Sequence, residues 1–234
     1  QGANAIDWLI ENGEIAEGDS VGIVFFEGDF GGDVAAGVEF AAGEYGLNVV
    51  EQPVTPADTD LTSQVAALQQ EGVSAVVIGG SPGTLGAYAG AAVAAGLEVP
   101  IVGANPVFNP SLLDSPVADF LIEHYISITA VAPYASSDPG PQAAAELYTA
   151  AGGDVPGWEV PLAYGQAVLM REALDAACEA GTLTREGVVD AMRATTGLDT
   201  GGVFPDGLDF TQIGEPPTRT VFIALVDPSV DGLK

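Results

Sequence analysis

The sequence predicts an α/β protein, with a Rossmann-like parallel sheet flanked by helices, and three observations carry that prediction. Short apolar, β-branched runs recur every ~26 residues, starting at Val21, Leu47, Val73 and Val99. The stretches between them space their apolar residues as one face of a helix does. Gly43, Gly72 and Gly96 close those stretches shortly before the next run, as C-capping glycines do. Strands that alternate with helices lie parallel, because each connection has to cross a face of the sheet. Helical solenoids share such periods but lack a β-branched run at the start of each repeat.

In chain order, Ala3–Leu9 reads as an amphipathic helix with Ile6, Leu9 and Ile10 on one side. The first strand is VGIVFF from Val21, followed by a helix over Asp33–Tyr45 with Val34, Val38, Ala41 and Ala42 inward. LNVVEQ from Leu47 leads to a helix over Asp60–Glu71 that Thr59 or Asp60 would cap. VSAVVIGG from Val73 precedes a small-residue helix, Leu85–Ala95, and VPIVGA from Val99 is the fourth strand. The pattern changes near Phe120: Tyr125–Val131 is strand-like, and Ala132–Pro141 has the Pro, Ser, Asp and Gly of a crossover. Two helices follow, Val160–Gly181 and Thr184–Ala194, then a turn-rich stretch over Gly197–Pro217 and a last strand, Thr220–Val226. Cys178 falls beside Leu174 and Ala177, which predicts a small buried hydrophobe.

Composition excludes several functions. Five basic residues stand against 33 acidic ones, a formal charge of −28. No Lys or Arg precedes Arg171, and the single Lys is Lys234. Such a surface repels phosphate backbones and anionic membranes, so nucleic acid is excluded as a partner. A P-loop lysine is excluded from the first half for the same reason. One Cys and one His allow neither an internal disulfide nor an ordinary zinc site, and no G-x-G-x-x-G is present, so no cofactor is expected. No apolar stretch reaches membrane-spanning length and no signal peptide is visible. A start at Gln1 without Met reads as a processed product or a recombinant piece.

The order of elements resembles the solute-binding proteins of type I periplasmic-binding-protein architecture, in the branched-chain amino acid (Leu/Ile/Val-binding) branch. The resemblance runs from QGANAIDWLIE through VGIVFFEGDFGGDVAAGVEFAAGEYGLNVVEQ and TDLTSQVAALQQEGVSAVVIGG. It continues in AGLEVPIVGANPVFNPSLL, AYGQAVLMREALDAA and TREGVVDAMR. Members of that family are two-lobed clamps that close on a small solute and hand it to an ABC permease. The resemblance implies that residues 1–131 and 218–234 form an α/β ligand-binding lobe, the family's second. Residues 132–217 would be the helical remainder of the first, whose strands are missing upstream. It further implies an extracytoplasmic location, periplasmic or at the cell surface, with a lipoprotein anchor in the full-length form. The implied partners are a small-molecule solute and an ABC permease in the membrane, and a truncated lobe would offer its exposed core edge for self-association. A ligand-sensing receptor ectodomain of the same fold is the alternative within the binding class.

In a parallel sheet, ligands bind at the carboxyl ends of the strands. Phe30, after the first strand, is placed to close over an apolar group, or else to pack on the strand end as a loop residue. Gly31 and Gly32 would let the backbone approach a ligand at a helix N-terminus, unless the Asp33 carboxylate already caps it. Ser81 follows Gly79-Gly80 at a strand end and offers a hydroxyl. Asn105 is a neutral amide where amino-acid-binding members of the family tend to carry an acid, which favours an amide, a urea-like solute or an organic acid over an α-amino acid. Phe108 could be an apolar wall or a buried loop residue. Glu159 and Tyr164 begin the long helix, where Glu159 would supply the missing acidic partner or simply sit as a favourable helix-start carboxylate.

A rival reading makes Ser81 a nucleophile. Gly79-Gly80-Ser81-Pro82-Gly83 fits the G-x-S-x-G elbow between strand and helix, and Asp114 or Asp119 followed by His124 completes a hydrolase order. Two physical objections weigh against it. Pro82 has no N–H for an oxyanion hole, and His124 falls beside a predicted strand rather than on a free loop. The chain is therefore expected to bind rather than catalyse.

Overall fold

The computed structural model describes residues 1–205 and 207–234. Contacts divide the chain into two compact units, one of Gln1–Thr129 with Ile223–Leu233 and one of Ala130–Phe222 with Lys234.

The first unit opens with α1 (Gly2–Glu11). Four repeats follow: β1 (Ser20–Phe26) and α2 (Asp29–Tyr45), β2 (Asn48–Val54) and α3 (Thr62–Gln70), β3 (Ala75–Gly79) and α4 (Pro82–Ala95), then β4 (Ile101–Ala104) and α5 (Ala118–His124). Next come β5 (Tyr125–Thr129) and, after the second unit, β6 (Phe222–Asp227) and β7 (Gly232–Leu233). The seven strands form one sheet in the order β2-β1-β3-β4-β5-β6-β7. β1 through β5 are parallel, and β7 runs antiparallel to β6.

Register explains why the apolar runs are continuous rather than alternating. Ile23, Val77 and Val102 pair in a row on one face, while the neighbouring row of Gly22, Val76 and Ile101 faces the other. Both rows are shielded, because α1 packs with α2 and α3 packs with α4 across the strands. Val24, Val76, Ile78 and Ile101 share one core with Leu61, Val65, Leu68, Leu85 and Tyr88. Each such side chain, fully buried, stabilises the fold by roughly 1.5–3 kcal/mol.

The four repeat strands and β5 occur where the sequence pattern places them, within a few residues at each end. The helices differ more. α2 begins at Asp29, four residues before the expected Asp33, and it ends at Gly46 rather than Gly43. Gly46 takes the left-handed φ of 67° that stops a helix, whereas Gly43 lies inside the last turns. At α3 the N-cap position is Leu61, but the Asp60 carboxylate accepts from the Thr62 N–H at 2.9 Å. That bond, with a second from the Thr62 hydroxyl, holds the Asp60 carboxyl below its usual range. α5 was not separable from the sequence, being only seven residues long.

The second unit holds α6 (Pro139–Ala150), α7 (Glu159–Glu179) and α8 (Arg185–Ala194). α7 packs against both of the others. α6 begins inside the stretch expected to be a crossover. Pro139 and Pro141 mimic a linker in sequence, yet they sit in the first turn, where the missing N–H groups have no helical partner to lose. Thr184 caps α8 by accepting from the Gly187 N–H at 3.1 Å. No strand lies wholly within this unit among the described residues. Cys178 corrects the sequence expectation: it is exposed, and Ala173 and Ala177 take the buried positions of α7 instead.

Two predictions follow from these contacts. The Tyr88 hydroxyl is fully buried among apolar side chains without a protein partner among the described residues. Tyr88→Phe is therefore expected to raise the unfolding free energy by about 1 kcal/mol, the cost of an unpaired buried hydroxyl; a loss of that size in urea melts would disprove the reading. On the surface, a hydrogen bond to Glu39 raises the Glu51 carboxyl above its usual pKa. A raised folded-state pKa gives stability that is complete below pH 4.5, the unfolded value, and is lost as pH rises through the folded one. Glu51→Gln is expected to flatten this decline and to melt higher than the parent at neutral pH.

Candidate functional site

All parallel strands of the first unit present their carboxyl ends at one edge of the sheet. The order reverses there: β1 is followed in sequence by β2 on one side and then by β3 on the other. At such a switch point the loops leave on opposite sides of the sheet, the arrangement that in open parallel sheets leaves a ligand crevice. Phe30 leaves the end of β1, Ser81 leaves the end of β3, and Asn105 leaves the end of β4, the next strand along.

Phe30 is a helix residue, in the first turn of α2, and is 41% exposed. Gly31 is buried beneath it, and a Cβ there would collide with the Phe26 carbonyl oxygen. The glycine therefore serves close packing of α2 on the end of β1, not the approach of a ligand to the backbone. Asp33 is not the cap either. It lies a turn inside α2, whose N-cap is Gly28 with a φ of 118°.

Ser81 is the N-cap of α4. Its Oγ accepts from the Thr84 N–H at 3.3 Å, and the Ser81 N–H donates to Thr84 Oγ1 at 3.2 Å. This is a capping box in which a threonine takes the place of the usual Glu or Gln. The hydroxyl oxygen lies 3.2 Å from Thr84 Oγ1. When the threonine donates across that contact, the Ser81 proton is left to point outward. Sequence reasoning missed Thr84 because it began the helix at Leu85; the S-P-x-T spacing was the available signal.

Asn105 is half-buried. Its backbone N–H donates to Gln1 Oε1 at 3.1 Å, and its Oδ1 accepts from Gln1 Nε2 at 3.4 Å. A side chain 104 positions away thus orients this amide, and no local pattern could have announced it. Phe108 is placed differently from Phe30. It is 4% exposed and stacks on Tyr125 with ring centroids 5.6 Å apart, so it is part of the apolar core rather than an open wall. Glu159 and Tyr164 belong to the second unit, where they occupy the first two turns of α7, Glu159 exposed and Tyr164 half-buried.

The first unit contains no Lys or Arg; the four arginines and Lys234 all lie in the second. The donors that the first unit's own Phe30, Ser81 and Asn105 loops offer an anionic group are hydroxyl, amide and backbone N–H groups. No group of three or more His, Cys, Asp or Glu side chains converges among the described residues.

The serine-hydrolase arrangement does not form. His124 ends α5, immediately before β5, and its ring packs on Phe120 at 4.6 Å. Because β3, β4 and β5 are parallel, the residue before β5 and the residue after β3 sit at opposite edges of the sheet. A five-residue strand separates those edges by roughly 16 Å, far beyond hydrogen-bond reach.

The family model described as periplasmic binding protein matches residues 1–231. The chain belongs to the periplasmic binding protein family and has its type I fold, a largely parallel sheet flanked by helices. Among solved structures, it is similar to a fatty acid ABC transporter substrate-binding protein from Thermomonospora curvata, with 34% identity and a TM-score of 0.91. It is also similar in fold to a branched-chain amino acid ABC transporter protein from Thermus thermophilus with bound valine, at 21% identity and a TM-score of 0.82. A leucine binding protein from Thermotoga maritima follows, at 19% identity and a TM-score of 0.80. Each match covers 100% of this chain, but the chain spans only 60% of the first structure and 63% of the other two. Comparison with curated proteins gives no match.

Ser81→Ala removes the cap of α4 and is expected to cost about 1 kcal/mol in unfolding free energy. Hydrolysis of p-nitrophenyl esters should show no component that disappears with this substitution; a Ser81-dependent rate would contradict the separation of Ser81 from His124.

Proposed function

We propose that residues 1–234 are the greater part of an extracytoplasmic solute-binding protein that serves an ABC importer, and that it binds its solute without chemical conversion. The observation that carries this reading is that Phe30, Ser81 and Asn105 each follow the carboxyl end of one of three adjacent parallel strands, β1, β3 and β4. Membership of the periplasmic binding protein family supports it. So does the likeness, at 34% identity, to a substrate-binding protein of an ABC transporter. No helix among the described residues is long and apolar enough to cross a membrane.

The solute class we favour is an organic acid with an apolar tail. Phe30 offers an exposed aromatic face for the tail. Ser81 and the Asn105 amide offer neutral donors for the carboxylate, aided by the N-terminal N–H groups of α2. The related protein from Thermomonospora curvata is named for fatty acids, which fits the same chemistry. Glu159 and Tyr164 belong to the second unit and take no part in this reading. Phe108 is left out because it is core.

Thermal shift and calorimetry with butyrate, octanoate and decanoate, beside leucine, valine and glutamine, test this. Stabilisation is expected to grow with the length of the acid. At about 100 times Kd it should reach about 2.7 kcal/mol. Phe30→Ala should reduce the shift by at least half. A response to leucine or valine alone would overturn the organic-acid reading, and a flat response to every solute would overturn solute capture by these residues.

A further inference from the structure

Gln1 stands at the N-cap position of α1, yet its side chain makes no capping hydrogen bond. Glutamine is not among the residues that helix starts favour there, so local helix chemistry does not account for it. α1 packs on β3 and β4 and leads into the amino end of β1, which puts its own start at the carboxyl edge of the sheet. There Gln1 meets Asn105 twice. The Asn105 N–H donates to Gln1 Oε1 at 3.1 Å, and Gln1 Nε2 donates to Asn105 Oδ1 at 3.4 Å.

The two bonds fix each other's sense. A backbone N–H can only donate, so the Gln1 atom that meets it has to be the carbonyl oxygen. Nε2 is then the end of the Gln1 carboxamide that faces the Asn105 side chain. Were the Asn105 carboxamide turned over, two NH2 groups would face each other with no acceptor between them. The 3.4 Å separation is long for a hydrogen bond, so this mismatch, more than bond strength, selects the orientation. Oδ1 is the end engaged by Gln1, and Nδ2, with its two hydrogens, is the end turned away from it.

We propose that Gln1 is a specificity-determining residue that acts through Asn105. It presents the N–H donors of the Asn105 carboxamide to the solute, rather than the carbonyl oxygen, and so selects solutes whose polar end accepts hydrogen bonds. The selectivity rests on the solute-capture reading of the same edge and explains why a neutral amide favours an acid. An asparagine alone is indifferent, because rotation about its last torsion exchanges donor for acceptor at little cost. Held by Gln1, it reads one sense of hydrogen bond. The first unit has no Lys or Arg of its own, so an amide with a fixed sense takes the place of a cation among its groups. Gln1→Glu inverts the logic. Both carboxylate oxygens accept, one from the backbone N–H and the other only from Nδ2, so the Asn105 amide has to turn over and present Oδ1.

Binding of octanoate and of octylamine to residues 1–234 is measured by calorimetry, in about 0.5 M NaCl to screen the charge of −28. A short leader precedes Gln1, because a terminal glutamine cyclises and loses Nε2. The parent should prefer octanoate. Gln1→Glu is expected to shift the preference towards the amine by about tenfold or more, and by less than about threefold in an Asn105→Ala background, where only the added charge acts. Gln1→Met, which holds neither orientation, should reduce the preference by about threefold or more and leave Tm within about 3 °C of the parent. Equal shifts from Gln1→Glu with and without Asn105 would overturn the proposal as a charge effect, and an unchanged preference in Gln1→Met would overturn positioning by Gln1.

Side-chain amide proton exchange, followed by NMR without solute, separates this inference from the reading it rests on. The Gln1 carboxamide protons should exchange about tenfold slower than those of exposed glutamines and lose that protection in Asn105→Ala. In Gln1→Glu the slow protons should be those of Asn105. Exchange at the exposed rate in the parent would overturn the orientation itself. Protection in a parent that binds neither probe would instead overturn solute capture, and the selectivity role with it, while the amide pair stands.

Discussion

The parallel hydrogen-bond register of β1, β3, β4 and β5 is the constraint on which the rest of the first unit depends. A parallel pair cannot be closed by a tight turn, so every connection has to carry a helix back across the sheet. That requirement produces the repeat, buries both faces of every central strand, and makes each strand a continuous apolar run. It also directs the chain: everything that leaves a strand does so at one edge. Phe30, Ser81 and Asn105 lie far apart in sequence and come to that edge together because their strands run the same way. His124 is removed from it by the same rule, since it precedes its strand instead of following it.

Charge acts on a different level from fold. Among the described residues the acidic side chains lie almost entirely on exposed positions, and an ion pair joins Arg219 to Glu215. Most of the carboxylates therefore have only solvent, short hydroxyl or backbone donors, or one another. The consequences are opposite in sign at different positions. Asp60 and Asp209, each bonded to a threonine two residues on, are held below the usual carboxylate range, while Glu51 beside Glu39 is pushed above it. Every Lys and Arg lies in the second unit, so the first unit itself contributes none to its strand-end edge. An anion held by the first unit's own groups would be recognised by dipoles and hydroxyl groups, which are directional and weak singly.

The points where the sequence reading failed share a cause. Pro139 and Pro141 look like a linker because proline breaks helices, but the first turn is the one place where it does not. Gly43 looks like a terminator because it is the first glycine after the apolar face, yet only Gly46 adopts the left-handed conformation that ends α2. Gly31 and Gly32 read as a ligand-facing pair, but Gly31 is needed where α2 is pressed onto the backbone of Phe26. Cys178 reads as buried because its neighbours are apolar, and it is exposed because the side of α7 it occupies has no layer against it. In each case residue type restricted the options and the neighbouring backbone selected among them.

The sequence by itself determined the alternation of strand and helix, the parallel sense of the sheet and the edge at which its loops emerge. Those properties follow from period and from the steric preferences of β-branched residues, which act within a few positions of the chain. Only the tertiary structure decided which side chains stand open at that edge. Phe30 and Phe108 are the same residue type in similar loops after strands, yet one is 41% exposed and the other is stacked on Tyr125 in the core. Asn105 owes its orientation to Gln1, a contact that spans nearly half of the chain. Exposure and long-range hydrogen bonding are properties of what lies opposite a residue in space, and local periodicity carries no record of that.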